Sequence, residues 1–137
     1  MNYHIMKNPE LAATCLSKQE YFRRYLTNTY YVLCIISAAE YLGLCNWTTD
    51  PTVYVWTKQE CAEHSIKMES HDGLYCTTIN QTINDLLADE TIDEQVIQES
   101  LAELYYKNNY ADLTIRPENQ AAFEHYCVWA EEYYIQV

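Results

Sequence analysis

Four side chains able to bind zinc gather in one short stretch, Cys61, His64, His71 and Cys76, spaced Cys-x2-His-x6-His-x4-Cys. Thiolate sulfur and imidazole nitrogen are the donors that tetrahedral zinc prefers. The spacing matches no standard finger or knuckle. The competing reading is a cysteine packed in a helix, a histidine at its end, a histidine in a turn and a cysteine in a strand. No cofactor is expected on that reading. A cysteine nucleophile would need a histidine base within reach. His125 and Cys127 are two positions apart, which on a helix turns them to different faces. Cys127 falls on an apolar stripe and Cys34 lies inside Val32–Ile36, so both read as small buried hydrophobes. Carboxylate pairs can do acid–base work. Here Asp89-Glu90, Asp93-Glu94 and Glu131-Glu132 fall at helix ends or on exposed faces by pattern, and Asp93 with Glu94 suits a helix N-terminus. They read as solvated faces, not as a catalytic pair.

The scarcity of glycine narrows the chemistry further. The chain has two, Gly43 and Gly73, against a usual share of about 7%. Phosphate-cradling loops need several, so that backbone N–H groups can approach the ligand. No P-loop, dinucleotide fingerprint or nucleophile elbow can be written, and no metalloprotease, kinase or deaminase motif is present. The chain is therefore expected to bind rather than to catalyse.

Its charge suggests what it would bind. The formal net charge is −12 and it is unevenly placed. Residues 1–58 carry five cations against four carboxylates, whereas residues 59–137 carry three against sixteen. Between Met68 and Tyr106 there is no lysine or arginine, and nine carboxylates. Such a surface repels nucleic acid and anionic lipid and attracts basic surfaces. Acidity also serves solubility alone, but solubility does not require the charge to gather in one half. Lys7, Lys18, Arg23 and Arg24 interleave with Tyr21 and Tyr25 as a strand-binding patch would. Four cations are too few against the total. The expected partner is a basic protein, with neither nucleic acid nor membrane bound directly. Residues 26–39 form an uncharged run too short to span a bilayer. The first sixteen residues hold no apolar signal core, so the six cysteines are expected to be reduced thiols in a cytoplasm.

A length of 137 residues fits one domain. Capping-box pairs mark three helix starts: Ser17 with Glu20, Thr57 with Glu60, and Thr91 with Glu94. Helical spacing predicts a short leading helix over Asn8–Leu16 and a long central one from Lys18 to Leu42, ended by Gly43. Further helices are expected over Lys58–Glu63, from Asn80 through Leu87 until Asp89 and Glu90 break it, over Thr91–Lys107, and from Pro117 to about Tyr134. Thr52–Trp56 reads as a strand. Ser65–Ser70 and Leu74–Ile79 flank His71-Asp72-Gly73 as a β-hairpin with Gly73 in the left-handed position, and Ala111–Ile115 reads as another short strand. The sum is an α+β class fold: a mainly helical single domain with a small antiparallel β-sheet or hairpin.

The candidate partner-binding surface follows from the acidic half and its tyrosines. Fourteen tyrosines against two phenylalanines place many aromatic rings with polar tips at the core boundary or on a contact face. The candidates are Asp89, Glu90, Asp93, Glu94, Glu99 and Glu103, with Tyr106, Glu131, Glu132 and Tyr133. Aromatic anchors within a carboxylate rim suit arginine and lysine on a partner. In size, acidity and missing catalytic motifs the chain resembles phage counter-defence inhibitors of the anti-restriction and anti-CRISPR kind. That resemblance implies an inhibitor occupying a nuclease or other nucleic-acid-binding protein, with carboxylates standing in for phosphates. Immunity proteins against basic toxins share the profile, and a regulatory module without inhibitor activity fits it too.

Overall fold

The computed structural model describes residues 2–27 and 30–135, with side chains described through Glu132. Its centre is a five-stranded mixed sheet in the order β1 (His4–Lys7), β3 (Thr52–Thr57), β2 (Tyr31–Leu33), β5 (Leu74–Thr77), β4 (Met68–His71). Neighbours pair antiparallel except β2 and β5, which run parallel with Val32 opposite Tyr75. Strand side chains alternate between faces, and both faces of the inner strands carry apolar residues. Leu33, Val53, Val55, Leu74 and Cys76 turn to one side, where α2 (Lys18–Tyr25) covers them with Tyr21 and Phe22. Val32 and Trp56 turn to the other, against Ile83 and Leu86 of α5 (Ile79–Ala88), Leu101 of α6 (Glu94–Asn108) and Ala130 of α7 (Gln120–Ile135). Between the two cores runs α3 (Ile35–Tyr41), with Ala39 in one and Ala38 and Tyr41 in the other. Two short helices, α1 (Pro9–Ala12) and α4 (Lys58–Glu63), complete the set.

Local chemistry sets several boundaries as expected. The Thr57 hydroxyl accepts from Glu60 N–H and the Glu60 carboxylate accepts from Thr57 N–H, a complete capping box on α4. Asp72 and Gly73 turn the β4–β5 hairpin with φ of 52° and 87°, the left-handed pair of a two-residue type I′ turn. The chain is α+β, with more sheet than the sequence suggested and one parallel pair within it.

Three expectations fail. The helix drawn from Lys18 to Leu42 is two helices, α2 and α3, with β2 between them. The apolar spacing runs on through the break, but Tyr31 and Val32 are strand formers, and the segment through Leu33 pairs with β3 on one side and β5 on the other. At the strand-to-helix junction Ile35 takes φ 39°, a strained value for a β-branched residue. The α6 helix starts after Asp93, whose carboxylate accepts from Gln95 N–H. Thr91 does not cap it, because its N–H and hydroxyl both bond Asp89. Ala111–Ile115 is not a strand. Its backbone is held by side chains of α5: Asn80 Oδ1 accepts from Thr114 N–H at 2.7 Å, and Asn84 Nδ2 donates to Thr114 O at 3.0 Å. Asn84 Oδ1 also accepts from Arg116 N–H and from Asn119 Nδ2. The leading strand β1 had no counterpart in the sequence reading.

Candidate functional site

A groove of about 590 Å³ lies between α6, the C-terminal half of α7 and the segment that follows α3. The helices α6 and α7 pack against each other, with the Tyr126 hydroxyl 3.4 Å from the Glu94 carboxylate near the start of α6. The floor is small and apolar, with Leu44, Cys45, Ala102 and Ala130. Glu99, Glu103 and Glu132 supply carboxylates, and Trp129 lines it while 55% exposed.

The segment forming one wall is fixed at both ends. Gly43 takes φ 74° after the last turn of α3, and Leu44 N–H donates to Ala39 O at 2.9 Å. This is a left-handed helix stop of the kind glycine permits. Asn46 then bonds across to α6, its N–H 3.1 Å from Glu99 Oε1 and its Nδ2 3.3 Å from Oε2. Beyond it, Thr48 N–H donates to Glu40 Oε2 at 3.1 Å. Lys18 Nζ donates to Thr48 O and Asp50 O and sits 3.5 Å from the Glu40 carboxylate. Lys18 and Glu40 are 5% and 2% exposed, so this is a buried ion pair that staples α2, α3 and the segment entering β3. Burial raises the Glu40 carboxyl above its ordinary range, against the pull of Lys18.

The groove offers no activated nucleophile. Burial pushes the Cys45 thiol up to about 12, so at neutral pH it is a protonated, weakly reactive sulfur. Burial acts likewise on Cys61, pushed up to about 11, and on Cys76, pushed up to about 12. These two also sit in different cores, Cys61 with Trp56 and Cys76 with Leu33. His64 is exposed at the end of α4, and His71 bonds Glu69 at 2.8 Å beside the hairpin turn. The spacing that suggested a metal quartet is split by the sheet, and no metal-binding group of three or more such residues forms among the described residues. Asp85 has the most perturbed acid chemistry: burial lifts its carboxyl to about 6, with Gln81 Nε2 at 2.9 Å and Arg116 Nη1 at 4.0 Å. It lies on α5, away from the groove lining.

The candidate surface is only partly one surface. Glu99, Glu103 and Glu132 meet in the groove. Glu103 has Lys107 at 3.6 Å, an exposed i,i+4 pair of small worth. Asp89 accepts from Tyr3 and Thr91, and Asp93 caps α6, so both serve the fold. Glu94 faces Tyr126 of α7. Glu90 is exposed at the α5–α6 corner, Tyr106 is exposed near the far end of α6, and Glu131 is half-buried. The Tyr133 side chain lies outside the described ones. Sequence reasoning missed Trp129 and the Leu44–Asn46 wall. Trp129 had a visible signal: Val128 and Trp129 are apolar yet fall off the Phe123, Cys127, Ala130 stripe, so the helix is apolar on more than its buried face.

The chain matches no family model, and neither a curated protein nor a solved structure matches it. No helix among the described residues is long and apolar enough to cross a membrane.

Proposed function

We propose that this chain is an inhibitory binding protein that docks a basic, nucleic-acid-binding protein, such as a nuclease, against the α6–α7 groove. One observation carries the reading. The groove pairs an exposed tryptophan with three carboxylates, and no lysine or arginine lines it among the described residues. Charge depletion is usual at the centre of an interface, with tryptophan as anchor and charge at the rim. A net charge of −12 adds a long-range field that speeds encounter with a cationic surface. In this reading the groove carboxylates take the place of phosphates on the partner's binding face.

The test is charge reversal at two groove positions that do not hold the wall, Glu103→Lys with Glu132→Lys. Glu99 is unsuitable, because reversing it also releases Asn46. Affinity capture from lysate of the source cells, with parent and doubly reversed chains side by side, should recover a basic protein with the parent only. That protein, purified, should lose nucleic-acid binding on adding the parent chain in stoichiometric amount. Identical captures by both chains, or a captured protein whose nucleic-acid binding is untouched, would overturn the proposal.

A further inference from the structure

We infer that the groove selects arginine over lysine, and that the partner enters it with an arginine-bearing apolar segment. This rests on the groove being the docking site. The argument is from complementarity of charge and hydration. The lining alternates an apolar floor, Leu44 and Ala130 among it, with the Glu103 and Glu132 carboxylates and the exposed Trp129. An ammonium is strongly hydrated and loses that hydration on entering such a place. A guanidinium is weakly hydrated, stacks on indole, and presents a planar fork of donors that engages more than one carboxylate. The methylene stem would lie on the floor. The apolar floor beside the carboxylates suits apolar residues flanking the arginine. The groove volume of about 590 Å³ falls within the range of about 300–1,000 Å³ usual for small-molecule pockets, room for an arginine side chain together with a flanking residue.

A second copy of this chain is the poorer occupant. At a net charge of −12, self-docking would bring carboxylate rims together and repel. Lys107, the cation next to the groove though not in its lining, is already beside Glu103.

The experiment uses the intact chain and two short peptides of equal charge. Each carries two cations between leucines, arginine in one and lysine in the other. Binding is read by titration calorimetry at low and moderate salt. The arginine peptide should bind about tenfold tighter than its lysine twin. Trp129→Ala should bring the arginine peptide down to the lysine level while leaving the lysine peptide nearly unchanged. Glu103→Gln with Glu132→Gln should weaken both. Equal binding of the two peptides, weakened alike by the glutamine variant, sinks the arginine preference and leaves the acidic groove standing as a docking site. Absence of binding by either peptide sinks both. Sedimentation of the free chain as a dimer that dissociates on Trp129→Ala would give the site to a second copy instead.

Discussion

Asp85 is the residue whose chemistry departs most usefully from the ordinary. Its folded carboxyl is lifted from 3.8 to about 6 by burial, so the native chain holds that proton more tightly than the unfolded chain does. The stabilisation from proton binding is full below about 3.8 and is lost as pH rises through about 6. At pH 8 the charge is buried at a cost. Asp85→Asn should therefore raise the unfolding free energy measured in urea at pH 8, by up to about 3 kcal/mol, and the gain should vanish near pH 4. An unchanged pH profile would mean that Arg116 and Gln81 fully compensate the charge. The Lys18–Glu40 pair has the opposite logic. Removing one partner strands the other in the core, so Lys18→Met should cost about 3–5 kcal/mol, and Lys18→Met with Glu40→Leu less than either change implies alone. Chemical denaturation of the two singles and the double measures that coupling. The pairing could not be read from the sequence, where Lys18 counted only as one of four surface cations, since nothing about Lys18 or Glu40 in their own helices announces that they face each other.

Elements were legible where a local signal coincided with the long-range one. The hairpin came through because Asp72-Gly73 dictates its turn, and α4 because Thr57 and Glu60 cap it. The long helix over 18–42 failed because periodicity cannot see a pairing partner: Val32 fits a helical stripe and a buried strand equally, and β3 and β5 decide. The segment 111–115 failed for a different reason. Its β-like composition is real, but asparagine side chains of α5, not another strand, occupy its hydrogen bonds. Asn84→Ala would leave the Arg116 N–H and the Thr114 carbonyl without these partners. It should cost about 1–3 kcal/mol and accelerate amide hydrogen exchange at Arg116, whose N–H loses its acceptor, while the Thr114 N–H keeps Asn80 Oδ1 and α6 is unaffected. Of the candidate site, the acidic members on α6 were readable, whereas the wall that makes a groove of them depends on Gly43 and Asn46, remote in sequence.

Across the whole molecule, the separation of charge seen along the sequence survives as a groove instead of a uniformly acidic face, because Asp89 and Asp93 are spent on the fold, and Glu99, in the groove, also holds Asn46. Long-range attraction should still depend on the total of −12. The association rate with a cationic peptide should fall on the order of tenfold between low salt and a few hundred millimolar, and stopped-flow fluorescence reads this directly. A rate indifferent to salt would mean that the field plays no part in encounter.

The placement of β2 has an outcome for biosynthesis. It is the middle strand, yet its parallel neighbour β5 ends at Thr77, so for much of translation the most apolar ribbon of the sheet stays open along one edge. Nascent chains stopped before Leu74 should therefore be sticky. A fragment covering residues 1–73 would be expected to aggregate, whereas the full-length polypeptide, once Thr77 has left the ribosome, closes that edge itself.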